Sequence, residues 1–240
     1  MGRVRRRRGR RRGRPLFVIA LRNATFLGLL AVSLVFGVII SRGIVQVSAT
    51  RPLEGQVIFL DAGHGGIDPG ACGRTYAEKD IVLKVSLLLG VRLEKAGAKV
   101  VYSRTGDYDL ETTEVSDVVA RIRLMKESKS SIAISIHCNA FTDSYERGAQ
   151  TFYNSTKHPG SKKLAQLIQD ELIAATGTER EISARLDHFI LNHADVPAVT
   201  VELGFLSNPN EEQLLGSSDY QLDLVECLYR AIVSFVNPGQ

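Results

Sequence analysis

The 240-residue chain is short of several things, and each shortage closes off a class of protein. Its three cysteines, Cys72, Cys138 and Cys227, are odd in number and far apart, which leaves no disulfide framework and no Cys-x-x-Cys metal motif. It has no His-Glu-x-x-His run, so any metal site must be assembled from segments distant in sequence. The glycine-rich stretch at Gly63, Gly65 and Gly66 lacks the G-x-G-x-x-G and G-x-x-x-x-G-K spacings of phosphate cradles, and close packing of backbone around a metal or substrate explains it better. Acidic residues are missing altogether from the first 51 positions, which hold twelve Arg and no Lys. The other 18 Lys and Arg face all 26 Asp and Glu, so the net +4 divides into a +12 head and a −8 remainder. The pI near 9.0 therefore describes the head, and the folded part is not read as a nucleic-acid binder.

Nine of the first fourteen residues are Arg, and Asn23 to Ile40 then run for 18 residues without a charge. That is close to the roughly 20 residues that span about 30 Å of hydrocarbon, and Arg22, a long side chain near the end of the run, can snorkel to the headgroups. The sequence predicts an Arg-rich cytoplasmic head over 1–22, a transmembrane anchor or uncleaved signal over 23–44, a linker over 45–56 and a catalytic domain over 57–240. The positive-inside rule puts that domain outside the cytoplasm and makes the membrane a partner. A cleaved signal peptide ending near Val47-Ser48-Ala49 is the competing reading, with a secreted domain as its outcome.

With 44% apolar residues, the roughly 185 positions after the head can bury one sizeable core. Strands are expected at 57–61, 99–103, 131–137, 149–153, 187–191 and 198–203. Helices are expected at 79–96, 114–129, 161–175 and 218–236. In the first helix Ile81, Val82, Val85, Leu89 and Leu93 repeat at helical spacing, and Gly97 is a natural stop. Strands alternating with helices argue for a single α/β domain with a mostly parallel twisted sheet and helices on both faces, preceded by the one transmembrane helix.

Sites in such sheets lie at the carboxyl ends of the strands. The first strand runs into His64, the third ends at His137, and Ala198 to Leu203 contains Glu202. Glu78, just after the glycine loop, can reach the same edge. Two imidazoles with carboxylates are the donors of a catalytic divalent-metal site. Each residue also has a plainer reading: a lone strand-end His is commonly a surface or capping group, and Glu78 three residues after Thr75 fits a capping box. Glu202 is harder to dismiss, because a carboxylate inside an apolar strand must be paired, metal-bound or protonated. His158 and His193 read as surface residues, His188 as a substrate contact, and Cys138 should face away from His137.

Four motifs in register, LDAGHGGIDPGA at 60–71, AEKD at 77–80, SIHCNA at 135–140 and VELGFLSNPNE at 201–211, resemble the zinc-dependent N-acetylmuramoyl-L-alanine amidases of the amidase-3 type. The resemblance runs from about Val57 to Phe235, and within the family it is strongest to the sporulation members. It implies one Zn²⁺ per chain held by His64, Glu78 and His137, and Glu202 as the catalytic carboxylate. The substrate it implies is peptidoglycan, cut between N-acetylmuramic acid and L-alanine during formation of muramic δ-lactam in spore cortex. A regulatory lipoprotein is a candidate partner, and the oligomeric state is left open. Asn139, Arg147 and Arg185, near the predicted edge, are candidates for binding stem carboxylates. Two other functions fit the residues: a zinc peptidase cutting within the stem, and a silent membrane-anchored wall-binding module.

Overall fold

The structure is a computed structural model that describes residues 32–33, 51–110 and 116–239. Apart from Val32 and Ser33, the head and anchor lie outside the described residues; among those described, no helix is long and apolar enough to cross a membrane. Residues 51–239 form one α/β domain. Its strands are β1 (Val57–Ala62), β2 (Lys99–Tyr102), β3 (Ile132–Asn139), β4 (Gln150–Tyr153), β5 (Ser183–Ala184) and β6 (Ala198–Phe205). Its helices are α1 (Glu78–Lys95), α2 (Asp117–Glu127), α3 (Gly160–Thr176), α4 (Phe189–Asn192), α5 (Pro209–Gly216) and α6 (Ser218–Val236).

The sheet order is β2-β1-β3-β6-β4-β5. The first four strands are parallel, while β4 runs antiparallel to β6 and carries β5 alongside it. The reversal has a local cause. A helical crossover is what usually returns the chain to the start of a parallel strand; the connection over 140–149 contains no helix, so β4 sets out from the edge where β3 ended, on the far side of β6.

Period-two alternation gives the sheet two unlike faces. On one, Ile58, Leu60, Ile134, Ile136, Val199 and Val201 meet the buried stripes of α1, α3 and α6. On the other, Phe59, Ala133 and Ala198 are covered by Met125 of α2, Leu191 of α4 and Ala194. That cover reaches only the amino-terminal half of the strands. Further along the same face the residues become Asp61, Ser135, His137, Thr200 and Glu202, which line an open cavity.

Three expectations change. Residues 187–191 are not a strand: Phe189–Asn192 forms the short α4, and the sheet edge is the two-residue β5 upstream. A short apolar run fits either state, and here Leu191 is buried in the core with Ile190 packed against it while Phe189 stays half exposed. Helix α5 was not anticipated, although Asn208 caps it through Asn210 N and Glu211 N, with Pro209 in its first turn. Within the stretch read as linker, Leu53 is fully buried and donates its N–H to Ala96 O at 3.0 Å.

Candidate metal centre and active site

The site begins where β1 ends. Gly63 N donates to Ile136 O at 3.0 Å and carries the ladder one residue past the strand. His64 then turns into the left-handed region with φ 57, a conformation costly for a residue with a Cβ. Two buried arginines hold it there. Arg104 donates to Ala62 O at 3.0 Å and Gly63 O at 2.8 Å. Arg121 donates to Ala62 O at 2.6 Å and His64 O at 2.5 Å. Three consecutive carbonyls thus each accept a guanidinium N–H. Arg121 is itself neutralised by Asp61 and Asp117, and the buried Asp61 also accepts from Ser135 Oγ at 2.6 Å. Burial works to raise the Asp61 pKa, but the charges of Arg121 and His137 and the hydrogen bonds from Ser135 and Ser103 together outweigh it, and the carboxyl lies below its ordinary value.

Glu78 stands at the start of α1, not in a capping box: the N-cap is Ala77, with no side-chain cap. Its carboxylate turns over the sheet edge and accepts from Ala71 N and Cys138 N, each at 2.9 Å. His137 Nδ1 lies 2.9 Å from Glu78 Oε1, and His64 Nε2 lies 3.2 Å from Oε2. His64 Nδ1 meets Asp68 Oδ2 at 2.7 Å, which leaves Nε2 as the ring nitrogen whose lone pair can face a metal. Asp68 is fixed in turn by Gly70 N at 3.0 Å. One ligand atom from each of His64, Glu78 and His137 lies within 4.8 Å of the others. Cys138 packs into the opposite face, as expected.

Backbone closes tightly around these groups. A Cβ on Gly63 would lie 2.2 Å from His137 Cε1. At Gly70, φ +65 is itself left-handed, and a Cβ would lie 2.6 Å from both Glu78 Oε2 and His64 Cδ2. The glycine loop is therefore a wall for the imidazoles.

The electrostatics are those of a site built for a cation. Burial favours neutral imidazole at His64, but hydrogen bonds and charge from Glu78 and Asp68 outweigh it and push the pKa up to about 9. His137 is raised by Glu78 and Glu202 against its burial. Glu78 is drawn far below the usual carboxylate range by the two imidazoles, despite a burial cost in the other direction. His137 Nδ1 and His64 Nε2 both face the one carboxylate, around the place a divalent ion would take. Two imidazoles, one carboxylate and a carboxylate anchoring one ring suit zinc.

Glu202 stands in register with His137 on the neighbouring strand and faces the same cavity of about 360 Å³. Its Oε2 is buried without a hydrogen-bond partner. Burial raises its pKa to about 7, with His137 lowering it and Glu78 raising it further. A carboxylate poised there can take and return a proton near neutral pH.

The expected substrate contacts fare unequally. His188 lines the cavity with its ring against Phe152, and burial lowers its pKa. Arg185 is exposed beside Asp187, and its charge is felt at Glu202. Asn139 ends β3 two residues beyond His137, with Oδ1 accepting from Ala140 N. Arg147 opens onto a separate hollow with Thr178, Arg180 and Glu211. Arg104, Arg121, Asp61 and Asp68 were not picked out from the sequence. Asp61 could have been, by the reasoning applied to Glu202, since it ends an equally apolar run.

A His-Glu-His set beside a proton-accepting carboxylate, on the carboxyl edge of a parallel sheet, is the layout of a metal-dependent hydrolase. The profile of the N-acetylmuramoyl-L-alanine amidase family matches residues 58–234, and the chain belongs to that family. The germination-specific N-acetylmuramoyl-L-alanine amidase of Bacillus subtilis (strain 168) is 35% identical over 193 residues, spanning 77% of this chain and 81% of the relative. The solved structure of the CwlD amidase from Clostridioides difficile in complex with the GerS lipoprotein has a TM-score of 0.72 at 36% identity. It covers 75% of this chain and 98% of that one. The catalytic domain of CwlV, an amidase from Bacillus (Paenibacillus) polymyxa var. colistinus, gives 0.68 at 30% identity, over 75% of this chain and 97% of that one.

Proposed function

We propose that this enzyme is a zinc hydrolase that cuts the amide between N-acetylmuramic acid and L-alanine in peptidoglycan, with His64, Glu78 and His137 holding the metal and Glu202 as the general base. The observation that carries the reading is the register of His137 with Glu202, which sets a carboxylate with a buried, unpartnered Oε2 beside the candidate cation site. His64, Glu78 and His137 would hold the zinc, which when bound would supply Lewis acidity to the scissile carbonyl and lower the pKa of a water to about 7. Glu202 takes one proton from the attacking water as the new C–O bond forms. The C–N bond then breaks, and Glu202 returns that proton to the departing alanine nitrogen. The products are a free peptide stem and a sugar bearing a lactyl carboxylate. Arg185, whose charge is felt at Glu202, and Asn139, two residues beyond His137, are the residues this reading assigns to stem carboxylates.

The likeness to the germination-specific relative supports a role in spore cortex, on the route to muramic δ-lactam. The CwlD–GerS complex makes a regulatory lipoprotein the partner to test. The Arg-rich head and the apolar run after it support a single-pass anchor, with the N-terminus cytoplasmic and the domain outside. Mass spectrometry of muropeptides digested by the full chain tests the chemistry. Intact stems with a free alanine amine are expected, together with lactyl-terminated glycan. Fragments cut within the stem would replace this reading with a peptidase, and glycan binding without any product would replace it with a wall-binding module.

A further inference from the structure

The cavity has two ends. At one, His64 and His137 close on Glu78; at the other, across Glu202, the half-buried imidazole of His188 lines the wall. The strand order fixes that sequence. His137 on β3 pairs with Glu202 on β6, and β4 lies beyond β6, where Phe152 meets the His188 ring at 5.2 Å between centroids. Each strand is a step of about 4.8 Å away from the metal ligands. His188 is the N-cap of α4, yet its side chain makes no cap bond, and neither ring nitrogen has a hydrogen-bond partner among the described residues. Its neighbour Asp187 is turned to Arg185 at 3.7 Å. Nor are the ring nitrogens among the sealed polar atoms, as Thr200 Oγ1 is, so a molecule in the cavity can reach them. Burial, with the charges of His137 and Arg185, holds the imidazole below its ordinary pKa against the pull of Asp187. At neutral pH it therefore offers one N–H and one lone pair, with no charge.

We propose that His188 is a substrate-binding residue that hydrogen-bonds the first peptide group of the stem, the one joining L-alanine to the residue after it. The proposal rests on the amidase reading above and deepens it, by naming what holds the peptide side of the scissile bond. Direction selects this occupant. With the scissile carbonyl at the His64, Glu78 and His137 set, the alanine nitrogen must lie within reach of Glu202, which returns its proton. What hangs on that nitrogen leads on past Glu202 toward β4, and the alanine carbonyl carbon is the second atom along. The muramic acid hangs on the scissile carbonyl carbon instead and leaves in a different direction. The chemistry agrees, because a peptide group is neutral and carries a donor and an acceptor, the complement of a neutral imidazole. Arg185, assigned above to a stem carboxylate, has its guanidinium 5.1 Å from the same Phe152 ring, so an anion beyond the first peptide group meets a cation there.

The test uses zinc-loaded Glu202→Gln protein, which should bind substrate without cutting it, and two ligands. One is N-acetylmuramoyl-L-alanyl-D-isoglutamine; the other is N-acetylmuramoyl ethylamide, which keeps the scissile amide and lacks the peptide group. Adding His188→Phe, which keeps a ring against Phe152, should weaken the dipeptide ligand about three- to tenfold by calorimetry, the worth of one hydrogen bond, and leave the ethylamide unchanged. His188→Gln, with an N–H and a C=O of its own, should recover part of the loss. Zinc content and melting temperature are measured alongside, and should His188→Phe lose either, His188→Ala makes the same comparison. Unchanged affinity for the dipeptide ligand overturns the contact. So does a weakening of both ligands by one factor, the mark of a merely structural imidazole. The products of the wild-type chain are read separately: fragments cut within the stem overturn the amidase reading, whereas lactyl-terminated product with affinities indifferent to His188 overturns the contact alone.

Discussion

The two faces of the sheet are made from the same strands, a residue apart, and they do opposite work. On the face under α1, α3 and α6 the strands present aliphatic side chains along their length, and the contacts are those of a dry core. On the face under α2 and α4 the cover stops halfway, and the strands present Asp61, Ser135, His137, Thr200 and Glu202 where it stops. The second face gives up apolar burial to hold the polar and ionisable groups that line the candidate site. The first supplies the burial that makes this tolerable. Stability and chemistry are thereby separated by the period-two alternation of a strand.

That division can be broken from either side. The largest effect is expected from His64→Ala or His137→Ala, each of which should abolish zinc binding and turnover, read by elemental analysis and product assay. Unchanged stoichiometry in both would remove them from the ligand set. Glu202→Gln should keep the metal and the fold yet lose about 10² to 10⁴ in kcat, the usual worth of a positioned acid–base group. Full activity in that variant would sink the base assignment. The opposite face should answer the other way. Leu228→Ala, at a fully buried position on α6, should cost about 2–5 kcal/mol in urea unfolding while kcat/KM of the folded enzyme holds. A large loss of turnover there would show that the faces are not independent.

The same alternation explains what could be read without a structure. His64, His137 and Glu202 were legible because each interrupts or ends an apolar strand, and strands of one parallel sheet deliver such residues to one edge. Glu78 was legible only as a neighbour of the glycine loop, and its turn over the edge depends on the N–H groups of Ala71 and Cys138. Arg104 and Arg121 were invisible: arginines usually signal solvent, and these are buried because they close on carbonyls freed by the bend after β1. The reversal of β4 and the two-residue β5 carry no periodic signal, and an apolar run as short as 187–191 does not distinguish helix from strand. Helix α5 was readable from Asn208, Pro209 and the two glutamates that follow, and its omission was a failure to weigh capping chemistry.

The smallest expected effect concerns the protons that stand in for the metal. In zinc-stripped protein, His64 has its pKa raised from 6.5 to about 9, so its stabilising contribution is complete below 6.5 and is lost as pH rises through 9. Glu202, raised from 4.5 to about 7 by burial, adds a loss of the same sign between those values, because the folded state there binds more protons than the unfolded chain. Glu78 and Asp68, both lowered, contribute stability above the ordinary carboxylate range and lose it toward acid. Chelated protein should therefore be most stable near pH 5 to 6 and should weaken by on the order of 2 kcal/mol toward pH 9. With zinc bound, the cation displaces those protons and the alkaline decline should largely vanish, so the gap between metal-loaded and stripped melting curves widens as pH rises. Parallel curves from pH 6 to pH 9 would mean that the metal and the histidine protons do not compete for one place, and the His64, Glu78 and His137 set would have to be redrawn. A core substitution such as Leu228→Ala should lower both curves without changing the gap, which separates the contribution of the site from that of the opposite face in a single experiment.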